Sequence, residues 1–398
     1  MALFGRADLL IPRDDLLPRW PVIACDQFTS QPEYWREIEK NVGEAPSAYH
    51  IIFPEAELGA DEDERIERID RTMEDYLSSG VFRLFPQSYV FVERTLANGA
   101  VRRGVVGVVD LEGYDYRDET ALPVRATEKT VISRIPPRVK IRSGAVLESS
   151  HVLLLCSDEK KKLIETVEKG EKLYDLELMQ GGGRVAGWLV DGEKADRFDR
   201  ALAEYVSRAG DGFCFAVGDG NHSLAAAKTC WEKLKESDPT LAGTEHPARY
   251  AMVELENLFD PVQTFEPIHR IVRGVEPMRL LTALGKRYCR DGTPVLWYTK
   301  TGGGILRFDK DVLPLEALQS ALDAYVAAEG GSVDYIHGED VALKLAREEG
   351  AIAFLLPRIE KGELFRTIGR SGVLPRKTFS VGHAEDKRYY LECRRILP

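Results

Sequence analysis

Six consecutive residues, GDGNHS at positions 218–223, place a carboxylate (Asp219), an amide (Asn221), an imidazole (His222) and a hydroxyl (Ser223) around two glycines, Gly218 and Gly220. A carboxylate beside a histidine is the usual equipment for moving a proton near neutral pH. Glycines let a backbone turn sharply and approach a ligand closely. If a helix starts here, its first amides carry partial positive charge and suit an anion. Asp219 and His222 are therefore the catalytic candidates, and Gly218, Gly220, Asn221 and Ser223 the ligand-holding ones. The same residue types also serve plain turns, with Asp219 or Asn221 ending the turn and Ser223 capping a helix.

What favours a site over a plain turn is the pair of elements on either side. FCFAV (213–217) alternates large and small residues in a run too short for a helix and predicts a buried strand. From Ser223 to about Leu234 the chain is rich in Ala, Leu and Lys and predicts a helix. A strand-to-helix turn at the edge of an open α/β sheet is where such folds usually hold ligands.

A second concentration of chemistry lies at 125–142, where Arg125, Lys129, Arg134, Arg138, Lys140 and Arg142 accompany a single acid, Glu128, in a chain of net charge −11. That inversion of sign suits an anionic partner, although a solvated basic loop has the same composition. Pro136 and Pro137 are expected to interrupt any helix here, leaving a loop able to close over a substrate. Glu128 is the leading carboxylate base of this stretch, and Lys129, Thr130, Arg134 and Arg138 are the candidate phosphate ligands. Two further pairs complete the list. His269 and Arg270 follow Pro267 in an extended segment, and Arg376 and Lys377 follow Pro375 in a turn that could return a cation to the first site.

The wider chain sets limits. Its 398 residues, 44% hydrophobic, can bury a sizeable core. The acidic balance argues against general nucleic-acid or anionic-membrane binding and favours a small anionic or phosphorylated molecule. Six scattered cysteines give neither a zinc-binding nor a disulfide pattern. The N-terminus lacks the apolar run of a signal peptide and no stretch reaches membrane-spanning length, so the expected location is the cytoplasm. There is no G-x-x-x-x-G-K-[ST], no G-x-G-x-x-G after a strand, no G-x-S-x-G and no H-E-x-x-H.

Periodicity predicts an α/β fold, with mixed α+β as the alternative. Helices are expected at 32–42, 60–79, 159–174, 194–208, 279–288, 315–329 and 340–349, and strands at 88–95, 101–110, 151–158, 184–190, 250–255, 333–338 and 351–357. A composition change near 275 suggests a main domain over 1–275 and a smaller C-terminal region over 276–398.

GDGNHS resembles the core motif, usually D-G-H-H-R, of the prokaryotic family labelled domain of unknown function 1015. RATEKTVISRIPPRVKIRSGAVLESSHVLLL (125–155), ARYAMVELENLFDPVQTFEPIHRIV (248–272) and GVLPRKTFSVGHAEDKRYYLECR (372–394) also resemble one of its subgroups. The motif is more distantly similar to that of the ParB and sulfiredoxin superfamily, which includes nucleotide-binding proteins and free-serine kinases. The resemblance implies a ParB/sulfiredoxin-like core with added elements, and a phosphate held at the motif. Asn221 and Ser223 stand where the family's usual motif has a histidine and an arginine, which removes its most direct phosphate ligand. Three readings stay open: a phosphotransferase acting on a small metabolite such as an amino acid or serine, with magnesium carried by a nucleotide; a non-catalytic nucleotide- or metabolite-binding regulator; and a hydrolase or isomerase using His222 or His269 with a carboxylate.

Overall fold

The structure is a computed structural model. It describes residues 2–24, 28, 31–54, 57, 61–117, 120–209, 212–285, 291–309, 313–375, 377–382 and 386–397. The chain is mixed α/β and divides into two compact units, Met1–Gln263 with His383–Pro398, and Thr264–Gly382. This differs from the expected boundary near 275. The strand Phe265–Arg273 already belongs to the second unit's sheet, and the last residues return to the first unit through the strand Cys393–Arg395.

In the first unit one path of strands runs Tyr114–Asp115, Val124–Ala126, Phe215–Asp219, Leu153–Cys156, Tyr250–Asn257, Val101–Asp110, Phe82–Thr95, Ala7–Pro12, Cys393–Arg395 and Leu147–Ser149. The long strand Phe82–Thr95 also pairs with Arg184–Val190, the second arm of a hairpin begun by Lys172–Glu177. Phe215 and Val217 are fully buried with Phe4, Tyr89, Leu154, Trp231 and Phe198. This packing seats the motif strand against the helices Gly192–Ser207 and Asn221–Ser237, which share its core. A second core gathers Trp20, Trp35, Ile38, Met73 and Tyr389 around the helices Pro32–Val42 and Glu62–Ser78.

The second unit is an antiparallel sheet in the order Gly302–Phe308, Thr293–Thr299, Ala351–Leu355, Phe265–Arg273, Ser332–His337. The helices Pro277–Gly285 and Pro314–Glu329 bury Leu280, Leu281, Leu318 and Leu322 against it. Glu339–Leu345 packs on Ile271 and Ala353 through Ala342.

Two expectations fail for identifiable reasons. Pro136 and Pro137 do not interrupt a helix; they open one, Ile135–Gly144, occupying its first turn, where the missing N–H has no intrahelical partner to lose. The charged stretch 159–174 forms no α-helix. Its backbone turns at Asp158, whose carboxylate accepts from the amides of Lys162 and Leu163, and Lys172–Glu177 then leaves as a strand. A helix at Lys361–Ser371, absent from the expectations, completes the second unit's described elements.

Candidate functional site

The motif strand lies in the sheet between a parallel and an antiparallel neighbour. Phe215 and Val217 register with Val124 and Ala126 on one side, and Phe215 with Cys156 on the other. Because the Val124–Ala126 strand is parallel, it ends on the same side as the motif, and A-T-E-K-T therefore emerges beside GDGNHS. Two hydrogen bonds hold it there. Thr127 Oγ1 donates to the carbonyl of Val217 at 2.7 Å, and the amide of Val131 donates to Nε2 of His222 at 3.1 Å. Glu128, Lys129 and Thr130 lie on the segment pinned between those bonds.

The turn is tighter than expected. Gly218 and Asp219 are still strand, Asn221 is already helix, and Gly220 alone makes the junction at φ +80°. A Cβ there would also stand 2.9 Å from Val152 Cγ2, so conformation and space both require glycine. At Gly218 it would meet Leu155 Cδ1 at 2.9 Å. Ser223 is not the cap; it lies in the first turn, and no side chain caps the helix. Asn221 Oδ1 and Thr130 Oγ1 are buried at this helix start without a hydrogen-bond partner.

The helix Ile135–Gly144 runs beside Asn221–Ser237 in the same sense. Ile135 and Val139 pack with Ala225, Ala226 and Cys230, Ser143 lies 3.9 Å from Cys230 Sγ, and the last turn reaches the level of Lys233 and Leu234. Both helix N-termini therefore open on one side, and their dipoles add there rather than cancel. Arg134 and Arg138 stand at the start and in the first turns of that helix, half-buried, with Arg138 donating to the Arg134 carbonyl at 3.0 Å. The rest of the basic run has structural work. Arg125 is buried over the Phe213 ring, Lys140 pairs with Asp63 at 2.5 Å, and Arg142 pairs with buried Glu148 at 2.7 Å.

Asp219 is held by charge. Its Oδ1 accepts from the Gly220 amide at 2.8 Å and its Oδ2 lies 3.1 Å from Lys387 Nζ. Burial pushes the carboxyl up, but Lys387, His151 and these hydrogen bonds outweigh it, so the group ionises below the usual carboxylate range. His151 in turn meets the Tyr390 hydroxyl, Nδ1 to Oη, at 2.6 Å. Lys387 is presented by buried Arg388, which pairs with Glu254 at 3.0 Å and Glu392 at 2.7 Å and donates to the Ser150 carbonyl. Sequence reasoning missed Lys387, His151 and Tyr390. The one available signal was the family-like stretch around K-R-Y-Y, from which only Arg376 and Lys377 were singled out.

His222 is committed at one ring nitrogen. Accepting the Val131 amide at Nε2 puts the proton of the neutral ring on Nδ1, so an acid or phosphate-donor role falls to Nδ1. His269, Arg270 and Lys377 belong to the second unit. His269 Nδ1 accepts from the Leu356 amide at 3.2 Å, and burial lowers its pKa. Arg270 is fully buried, donating to Gln319 and to the Ile268 carbonyl at 2.6 Å each and lying over the Tyr335 ring. Both hold the second unit's own sheet together. Lys377 takes φ +56° in the turn before the strand Phe379–Val381; Arg376 lies outside the described residues.

Among the described residues no three His, Cys, Asp or Glu side chains are placed to hold a metal ion. No helix among the described residues is long and apolar enough to cross a membrane.

The sequence pattern of the family described as "Protein of unknown function (DUF1015)" matches residues 7–390. No curated protein matches the chain. Among solved structures, a C-terminally truncated SbnI from Staphylococcus aureus is similar at 9% identity and a TM-score of 0.39, covering 72% of this chain and 85% of its own. A free serine kinase in complex with AMP is similar at 12% identity and a TM-score of 0.40, covering 71% and 93%. A conserved hypothetical protein from Pyrococcus furiosus is similar at 11% and 0.36, covering 71% and 95%. Likeness at this level does not extend to activity.

Proposed function

The chain belongs to the DUF1015 family of proteins of unknown function, and from that premise we propose that the Gly220 turn holds the phosphates of a nucleotide or other small phosphorylated molecule. We infer further that the protein transfers a phosphoryl group to the hydroxyl of a small metabolite. The observation that carries the reading is the bond from Val131 to His222, which brings two uncapped helix starts and the segment 128–130 to one place. Phosphoryl transfer asks a protein mainly for positioning and positive electrostatics. Lys129, Arg134, Arg138 and Lys387 supply the cations, and the first amides of the helix Asn221–Ser237 the donors.

The carboxylates divide by environment. Asp219, held below the usual carboxylate range, is a weak proton acceptor and serves to orient the turn and Lys387. Glu128 is then the base. It takes the hydroxyl proton as the metabolite oxygen bonds to phosphorus and the phosphorus–oxygen bond to the leaving phosphate breaks. Magnesium, when bound with the nucleotide, would neutralise phosphate charge, and Asp219 is the residue that would hold it.

A regulator that binds the same ligand without turnover is the second reading, favoured by one feature: Asn221 and Ser223 offer neutral groups where the family's usual motif offers a histidine and an arginine. The hydrolase or isomerase reading has less support, since His222 and His269 each spend one ring nitrogen on a backbone amide. The separating experiment incubates the protein with ATP, ADP or pyrophosphate, magnesium and hydroxyl-bearing metabolites, serine among them. Phosphorylated product that disappears in folded Asp219→Asn and Glu128→Gln variants supports transfer. Ligand-induced stabilisation without product supports the regulator, and neither result removes both.

A further inference from the structure

We propose that two copies of this chain pair through the outer edge of the strand Gly302–Phe308, antiparallel, so that the second unit's sheet continues from one copy into the other. The inference is independent of the phosphate reading. Gly302–Phe308 ends the second unit's sheet, and among the described residues no strand pairs with its outer side. Alternate N–H and C=O groups along that side therefore stand ready for one more ladder.

The other outer strands are guarded by charge. Ser332–His337, at the far side of the same sheet, carries Asp334 paired with Arg273, and an exposed His337. In the first unit, Lys172–Glu177 carries an ion pair between Lys172 and Asp175, and its Leu173 carbonyl accepts from Arg83 at 2.9 Å. Charges of this kind keep a sheet edge from recruiting another strand. Gly302–Phe308 opens instead with three glycines and carries a single charge, Arg307. None of the three glycines has positive φ, and the register with Thr293–Thr299 runs without a bulge. In a regular strand, glycine marks the close approach of another group. A Cβ at Gly303 would stand 2.8 Å from Tyr298 Cδ1 and one at Gly304 2.6 Å from Trp297 Cζ2, so a ring covers each, and no side chain of the strand's first half obstructs its edge.

The strand's own sequence selects a second copy as the occupant. Antiparallel pairing about the midpoint, Ile305, engages all seven residues of Gly302–Phe308. It sets Ile305 against itself, with Cβ atoms about 5 Å apart. Ile305 is 49% exposed and Leu296, its partner on the neighbouring strand, 37%. Pairing joins these two side chains and their symmetry mates into one apolar stripe across the interface. The same register brings Arg307 of the second copy opposite Gly303, beside the Tyr298 ring, where a cation is attracted. At each end it brings exposed Lys300 beside exposed Asp309 of the second copy. A register centred elsewhere on the strand shortens the ladder and loses these matches.

The test measures the mass of the full-length protein by sedimentation velocity from low micromolar to near-millimolar concentration, with hydrogen exchange at Gly302–Phe308 followed over the same range. The expected result is a monomer–dimer equilibrium in which those amides gain protection as the dimer fills. Ile305→Lys, at an exposed position, sets like charges face to face and should weaken the dimer about tenfold or more while the chain still melts cooperatively. Lys300→Asp should weaken it as well, and combining Lys300→Asp with Asp309→Lys should restore it. A chain that stays monomeric at every concentration, a dimer that Ile305→Lys leaves intact, protection at Gly302–Phe308 that does not depend on concentration, or a charge-swapped double variant no better than Lys300→Asp would each overturn the proposal.

Discussion

Lys387 sets its ammonium 3.1 Å from Asp219, joining the last segment of the chain to the turn that opens the helix Asn221–Ser237. The pairing depends on distant contacts: the strand Cys393–Arg395 docks on Leu9–Leu10 and Leu147–Ser149, and buried Arg388 ties the segment to Glu254. A lysine held in this way is a fixed part of the site.

Replacing that lysine tests the pair. Lys387→Met leaves Asp219 without its cation and should cost about 1.5–3 kcal/mol at neutral pH, the range for charge-assisted hydrogen bonds. Because the folded pKa of Asp219 is depressed, the stability it brings is present above the ordinary carboxylate range and lost as pH falls through the folded value. Denaturant melts of wild type and variant should therefore converge in acid. A difference that does not change with pH would show that the lysine acts through packing alone.

His222→Ala removes the acceptor of the Val131 amide. The expected outcome is a loss of about 1–2 kcal/mol and faster hydrogen exchange at Val131, with His222→Gln partly restoring protection. Unaltered exchange in the alanine variant would mean that the segment 127–131 is held by other bonds.

Gly220→Ala should destabilise the first unit. The position combines φ +80° with a Cβ contact of 2.9 Å to Val152, and a loss of about 1–3 kcal/mol is expected in thermal melts. Gly43→Ala, at φ +56° with nothing within 4 Å, is the control for conformation without the clash.

Glu256 carries a pH signature. Burial, reinforced by Glu254, pushes its carboxyl from the ordinary 4.5 up to about 8, against the pull of Arg102. The folded state then binds a proton that the unfolded state has released, so this group lowers stability as pH rises from 4.5 to about 8. Glu256→Gln should flatten that part of the stability profile. An unchanged slope would place the titration elsewhere.

Much of the local structure was legible. Pro32–Val42 formed at the bounds its proline and periodicity suggest, and the alternation in FCFAV and the alanines after Ser223 located the motif strand and helix. What stayed hidden depends on pairing across the sequence. Pro136 and Pro137 read as breakers because nothing local says that a helix begins one residue earlier. The lysine-rich stretch after Asp158 has helical composition, but Leu163 and Ile164 are pulled into the core and Lys172–Glu177 finds a strand partner in Arg184–Val190. His151 and Lys387 are single residues with no motif of their own; only the sheet brings them to Asp219. Conversely His269 and Arg270, conspicuous in sequence, hold the second unit's interior.

The most direct measurement for the central claim is calorimetric titration of the protein with ADP and with pyrophosphate in the presence of magnesium, alongside Lys387→Met and a folded Arg134→Ala variant. The account predicts saturable binding by wild type, weakened about tenfold or more in each variant, as expected when one charge-assisted contact to phosphate is lost. Absence of heat and of any melting shift up to millimolar ligand, or binding that both variants leave untouched, would contradict a phosphate site at the Gly220 turn.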